Sequence, residues 1–367
     1  MERRPDHILL RLKEAGFSAW FVGGCVRDTL LGRPIHDWDI TTSALPEEIM
    51  EVFPRCVPTG IRHGTVTVLD GENAYEVTTF RVDGDYRDGR HPESVRFVAA
   101  VEDDLARRDF TVNAMAMDET GAVLDVFGGK EDLAAKLLRC VGVPEERFRE
   151  DALRMLRALR FSAQLGFTIE EETYRAIRSC AQLSAGLSAE RVRDEVEKTL
   201  LSDDPEKVYE MAKLGLLAEF GIADGEDKPS PAELPKLREV RWAGFFRAWP
   251  QASWERFKLD KKCGRTAQES AALYLPKRDR LAWKRLISRH GEAVARCTAA
   301  LSGEREAVEE ILQSGECLYL KDLAVGGKDV RGVEGKQVGA VLEQLLAHVL
   351  EHPEDNTREK LLAMVQG

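Results

Sequence analysis

The sequence predicts an α/β head followed by an elongated all-α remainder. Three observations carry that prediction. Short segments rich in β-branched and aromatic residues are confined to roughly the first 140 residues. From about residue 144, apolar residues recur at threes and fours, the spacing of a helix face. A polar, proline-containing stretch at 223–235 interrupts the helical half as a surface loop or linker does.

In the head, AWFVGG (19–24), TVTVLD (65–70), YEVTTF (75–80), VRFVAA (95–100) and AVLDVF (122–127) read as strands. RDTLLG and LPEEIMEVF read as helices between them. The second is expected to open on Ser43 as its N-cap, with Pro46 and two glutamates in the first turn. The opening MERRPDHILLRLKEAG alternates charge with apolar residues, as an amphipathic helix does and a signal peptide does not. Further on, PEERFREDALRMLRALRFSAQLG reads as one helix, with Phe148, Leu153, Leu156, Leu159 and Phe161 on its periodic positions. EETYRAIRSCAQL, AERVRDEVEKTLL, PEKVYEMAKLGLL and VGAVLEQLLAHVL continue the pattern.

A chain of 367 residues exceeds one ordinary core, so two to four structural units are expected. Hydrophobic residues at 43% and charged residues at 32% fit a soluble protein, and no run approaches the ~20 apolar residues of a membrane helix. Seven scattered cysteines, none in a CxxC pair, argue against a zinc site or a disulfide framework and fit a reducing cytoplasm. A net charge of -11 speaks against a globally basic nucleic-acid binder. Residues 256–290 nevertheless carry eleven Lys/Arg against three acids, enough for a basic face on an acidic protein.

Chemistry concentrates first in FVGGCVRDTLLGRPIHDWDI, residues 21–40. A strand runs into Gly23-Gly24, a turn where backbone can approach a phosphate closely. Arg27 follows at the start of a helix, where charge adds to an anion site. A second strand is expected to carry Asp37-Trp38-Asp39. Alternate residues of a strand share a face, so the two carboxylates project together, as needed to share divalent metal with substrate phosphate. A bare Asp-x-Asp is more often a turn or a solvated strand; the ordered string distinguishes this one. It matches neither the P-loop nor the dinucleotide-binding pattern. In REDALRMLRALRF (149–161), Asp151 and Arg154 lie three apart on one helix face, with Arg157 continuing it and Arg160 rotating away. A carboxylate and a guanidinium held together can read the edge of a base without a template.

The string at 23–40 resembles the head of the DNA polymerase beta superfamily. More narrowly, it resembles the signature of class II tRNA nucleotidyltransferases and their bacterial poly(A) polymerase relatives. The likeness covers most of the chain, most closely over 20–200 and least over 221–320. It implies an α+β nucleotidyltransferase head over 1–140, a polymerase beta-like mixed sheet with helices. A helical neck for nucleotide recognition (141–200), a helical body (201–270) and a helical tail for tRNA binding (271–367) would follow. By the same resemblance Asp37 and Asp39 hold the catalytic metal and Glu76 is a third catalytic carboxylate. Gly24 and Arg27 contact the incoming nucleotide. Arg108, in RRDFTVNA, reaches it too. Asp151 and Arg154 pair with the base edges of C and A, and Arg157 and Arg160 add nucleotide contacts. The segment 84–98 resembles the family's flexible loop, and Arg191 and Glu195 lie on a helix that buttresses the site. The stretch 323–362, with Gly326-Gly327 and Lys328, resembles the part that holds tRNA.

The implied reaction is template-independent addition and repair of the 3′-terminal CCA of tRNA, from CTP and ATP, by two-metal transfer with Mg²⁺. Partners are then tRNA, CTP and ATP, with no membrane, in a monomer or a homodimer. A bacterial poly(A) polymerase, a CC-only or an A-only enzyme shares these motifs. A non-catalytic RNA-binding protein with a degenerate head and a metal-dependent phosphodiesterase are readings from other classes.

Overall fold

The computed structural model describes residues 4–83, 95–225, 229–330 and 336–366. The chain divides into two compact units at Asp224–Gly225, at the beginning of the polar stretch read as a linker.

The first unit opens with α1 (Asp6–Glu14), which buries Ile8, Leu9 and Leu12 along one stripe. Next come β1 (Ala19–Val22), α2 (Gly24–Leu30), β2 (Ile40–Thr42), α3 (Pro46–Val52), β3 (Cys56–Gly60), β4 (Thr65–Asp70) and β5 (Asn73–Thr79). β6 (Arg81–Asp83) and β7 (Val95–Phe97) pair as a separate ribbon, and α4 (Val101–Ala106), β8 (Met115–Met117), β9 (Val123–Asp125) and α5 (Gly129–Ala135) follow. Seven strands form one mixed sheet in the order β3-β4-β5-β2-β1-β8-β9, in which only β2 and β5 run parallel. Val22, Phe80, Val101, Leu105 and Ala116 pack α4 against this sheet.

β3, β6 and β8 have no counterpart in the sequence reading, and β2 begins later than the strand expected at Asp37–Asp39. β3 contains a proline and sits exposed at the sheet edge, and β8 is Met-Ala-Met with no branched residue to mark it. β1 stops at Val22, before the glycines. Ser43 is not the cap of α3: its Oγ accepts the Ser18 N–H at 2.9 Å, while Glu48 reaches back to the Leu45 N–H at 2.7 Å.

β10 (Leu137–Leu138) leads into α6 (Pro144–Glu150), α7 (Leu153–Leu165), β11 (Thr168–Ile169), α8 (Glu171–Cys180), α9 (Ala189–Leu200) and α10 (Lys207–Lys213). The helix expected to run unbroken from residue 144 is therefore two. Asp151 has φ −143° and ψ 102°, and its Oδ1 accepts the Leu153 N–H at 3.0 Å, ending one helix and starting the next.

The second unit is helical: α11 (Arg238–Ala248), α12 (Lys261–Ala272), α13 (Arg280–Ser302), α14 (Arg305–Gln313), α15 (Lys336–Glu351) and α16 (Arg358–Gln366). Trp242, Phe245, Phe246, Trp249 and Phe257 form one aromatic cluster. Trp283, Ile287, Val349 and Leu361 belong to a second core. Part of the basic run at 256–290 is engaged internally. Lys284 is buried, donating to the Leu350 carbonyl at 2.8 Å and pairing with Glu316; Arg280 also pairs with Glu316, and Arg285 with Glu351. No helix among the described residues is long and apolar enough to cross a membrane.

Candidate active site

β2 begins at Ile40, so Asp37 and Asp39 precede the strand instead of lying within it. Their alternation survives because the backbone is already held extended. Val22 N–H donates to the Asp39 carbonyl at 3.0 Å, and Trp38 is buried against Phe21 with ring centroids 4.8 Å apart. With Trp38 inward, Asp37 and Asp39 both stay exposed on the other side. The parallel β2–β5 register pairs Ile40 with Val77, and one step back it sets Asp39 beside Glu76. Asp39 feels the charges of the other two. The Asp39 pKa is raised, first by burial of its carboxyl and then by the charges of Glu76 and Asp37, against the pull of Arg108. The residue keeps an open surface while much of its carboxyl is shielded by protein. Among the described residues, no group of three His, Cys, Asp or Glu side chains is placed so as to hold a metal ion by itself. An oxygen-only edge completed by substrate suits a hard cation.

Gly23 is the N-cap of α2, with φ 76° and ψ −136°, a conformation that favours glycine. A Cβ there would lie 2.9 Å from Arg108 Nη1 and 3.6 Å from Asp39 Oδ2. The absent side chain is what lets a guanidinium and a carboxylate converge on the turn. Arg27 is buried in α2 and donates to Asn113 Oδ1 at 2.7 Å and to Asp28 Oδ2 at 2.8 Å. Asn113 Nδ2 in turn donates to Asp109 Oδ1 at 3.1 Å, and Asp109 Oδ2 receives Arg157 Nε at 2.8 Å. Burial alone would push the Asp109 carboxyl up; Arg157, Asn113 and the Phe110 N–H outweigh it and hold the pKa down at about 2. A continuous chain thus runs from the half-buried Arg157 through the buried Asp109 and Asn113 to Arg27.

Asp151 and Arg154 do not share a helix, yet both line the same cavity. Asp151 is held by Arg191 at 2.7 Å, the contact through which α9 supports it. Arg154 is buried, and Nη1 donates to Glu150 at 2.6 Å and to the Arg147 carbonyl at 3.0 Å. Its Nη2 donates to the Arg107 carbonyl at 3.0 Å, tying α7 to the Arg107-Arg108 segment.

The cavity has a volume of about 410 Å³. Of the residues singled out from sequence, Gly24, Arg27, Asp39, Arg108, Asp151, Arg154 and Arg157 line it. Asp37 and Glu76 belong to the carboxylate edge beside Asp39. Arg160 is not among the lining residues: it is buried against Glu195 at 2.5 Å and Gln164 at 2.8 Å. Of the segment 84–98, residues 84–94 lie outside the described residues. In the second unit the Gly326 N–H is taken by Asp329 at 2.9 Å, while Lys328 is exposed.

Sequence reading overlooked Phe161 and Asp104. Phe161 also lines the cavity, and three guanidiniums gather on its ring: Arg27 and Arg157 at 5.2 Å and Arg160 at 3.7 Å from the centroid. Helical periodicity alone places it only on a core stripe. Asp104 ion-pairs both Arg107 and Arg108. Its spacing of three and four residues from that pair was the available signal.

A family model described as the poly A polymerase head domain matches residues 19–139. A second, described as a probable RNA- and SrmB-binding site of polymerase A, matches 166–221. The chain is 42% identical to the CCA-adding enzyme of Geobacillus kaustophilus, covering 97% of this chain and 94% of that one. It is 38% identical to the CCA-adding enzyme of Lactiplantibacillus plantarum, covering 94% and 90%. The solved structure of the Bacillus stearothermophilus CCA-adding enzyme in complex with CTP aligns with a TM-score of 0.85 at 36% identity, covering 99% and 98%.

Proposed function

This chain belongs to the family of CCA-adding enzymes, and we propose that it builds and repairs the 3′-terminal CCA of tRNA from CTP and ATP. The observation that carries this reading is one cavity. In it the Gly23-Gly24 turn with Arg27 and Arg108, the acidic edge at Asp39, and the Asp151 and Arg154 side chains all meet.

Nucleotidyltransferases of this family use divalent metal. We assign Mg²⁺ here, held by Asp37 and Asp39 with Glu76 beside them. The donors are all carboxylate oxygens, and a cation would offset the burial, and after it the charges of Glu76 and Asp37, that raise the Asp39 pKa. When bound, the metal would activate the attacking 3′-hydroxyl and offset charge on the α-phosphate and the departing pyrophosphate. Arg27 and Arg108 bind the triphosphate, and the glycine turn leaves room for it. Asp151, clamped by Arg191, and Arg154 present a fixed carboxylate and guanidinium to the base. Both groups are held by protein partners, so a base whose edge does not match this fixed pair makes fewer hydrogen bonds there.

The test is extension of tRNAs ending before, within or after CCA, with labelled CTP or ATP and Mg²⁺. Extension that halts after the terminal A is the expected outcome. A long A tail on generic RNA would instead mark a poly(A) polymerase, and halting after CC or adding only A would mark a partial enzyme. No incorporation on any primer would overturn the proposal.

A further inference from the structure

Arg107 and Arg108 are adjacent cations, and one acid serves both. Asp104 lies on α4, three and four residues upstream, so a single helical turn brings its carboxylate beneath the pair. The side chain is fully buried. Its two oxygens are divided: Oδ1 accepts Arg107 Nε at 2.9 Å and lies 2.8 Å from Arg107 Nη2, while Oδ2 accepts Arg108 Nη2 at 3.2 Å. Oδ1 also accepts the backbone N–H of Arg81, the first residue of β6, at 3.4 Å. Asp104 does not line the cavity, so whatever it does there it does through the arginines.

The orientation of Arg108 follows from this tether. With Nη2 tied back to Asp104, the other terminal nitrogen points at the turn, 2.9 Å from where a Gly23 Cβ would be. The Nε is buried with no hydrogen-bond partner. The charges also balance in a useful way. One carboxylate divided between two guanidiniums screens each only in part, beside the acidic edge where a triphosphate has to be held. Burial opposes ionisation of Asp104, but Arg107 and Arg108 outweigh it and keep its pKa below the ordinary 3.8, so the tether is ionised at neutral pH.

Resting on the reading of the site given above, we propose that Asp104 is a positioning residue for nucleotide binding. It aims the Arg108 guanidinium at the phosphates and shares its own charge between Arg107 and Arg108. Its contribution reaches the phosphates and not the base.

The test uses the full chain and equilibrium binding of CTP and of ATP in Mg²⁺, with thermal melting alongside. Asp104→Asn keeps the shape and removes the charge. It should weaken both nucleotides on the order of tenfold, the loss of about one charge-assisted hydrogen bond. The losses for CTP and ATP should agree within about twofold, with tRNA affinity unchanged, because phosphates are common to both nucleotides. On an Arg108→Ala background the same substitution should cost less than about twofold more, since its effect is already spent. Asp104→Glu keeps the charge but displaces the carboxylate by one methylene, and serves if the asparagine variant melts early. Folded and weaker for both nucleotides supports the proposal. Wild-type affinity in either folded variant, a loss confined to one base, or full multiplication with Arg108→Ala would overturn it. A wild-type chain that binds both nucleotides yet never extends tRNA would overturn the functional reading alone, because the binding comparison remains readable.

Discussion

Gly23→Ala is the smallest change that should disable the site while sparing the fold. The backbone at Gly23, φ 76° and ψ −136°, lies where a residue with a Cβ is strained by about 1–3 kcal/mol. The new methyl would also sit 2.9 Å from Arg108 Nη1, closer than such atoms tolerate, so the guanidinium or the turn has to move. Strain of ~2 kcal/mol lowers the melting temperature by roughly 4–8 °C for a unit of this size. Displacing a phosphate-binding group on the ångström scale costs on the order of 10²-fold in turnover. The assay is single-nucleotide incorporation into tRNA, giving kcat/KM for CTP and ATP, with melting in parallel. Gly166→Ala is the control. That residue caps α7 at φ 68°, ψ 30°, and nothing lies within 4 Å of a Cβ there. It should lose about 1 kcal/mol of stability and no activity. Wild-type kcat/KM in Gly23→Ala, or an equal activity loss in Gly166→Ala, would refute the close-approach reasoning.

The other predictions are separable from that one. Asp37→Asn, at an exposed position, should leave melting and tRNA binding intact while incorporation falls by ~10³-fold or more; a filter-binding and extension pair reads both. Arg154→Ala should relax the choice of C and A over U and G by about tenfold, more than it weakens tRNA affinity, measured as kcat/KM ratios for the four nucleotides. Phe161→Leu should raise the KM for both nucleotides, because Arg27 and Arg157 lose a shared face; an unchanged KM would remove Phe161 from the site. Asp109 governs acid stability. Its folded pKa of about 2 lies below the ordinary 3.8, so its contribution is fully present above pH 3.8 and disappears as pH falls through about 2. A depression of that size is worth about 2 kcal/mol. The stability gap between wild type and Asp109→Asn should therefore shrink across that window in acid unfolding curves, and a constant gap would contradict it.

Local spacing made part of this site readable. Asp37 and Asp39 could be paired from sequence because alternation needs only an extended backbone, and burial of Trp38 supplies that even outside the ladder. Gly23-Gly24 was legible for a similar reason, since the demand for a turn is local. The helical half showed itself through its three-and-four periodicity, although the interruption at Asp151 did not. A side chain capping the Leu153 N–H leaves no mark on apolar spacing. Short strands without branched residues, β8 above all, were equally silent.

Arg160 shows where local arithmetic runs out. On a helix each residue turns by about 100°, so a step of three falls about 60° short of a full turn. Two such steps from Arg154 carry Arg160 about 120° around α7, away from the cavity and toward Glu195 on α9. The destination of that drift depends on which helix packs alongside, and spacing within α7 does not contain it. The same holds for every link between distant segments: Asp39 with Glu76 through a parallel strand pair, Arg27 with Asn113, and Asp151 with Arg191. These links place the Arg27–Arg108 end and the Asp151–Arg154 end of the cavity in one frame. Through Asp109 and Asn113, the guanidinium of Arg157 on α7 and that of Arg27 on α2 hold each other in place. A change that frees either one should therefore be felt at the other, and Asn113→Ala, which removes no charge, should weaken CTP and ATP together.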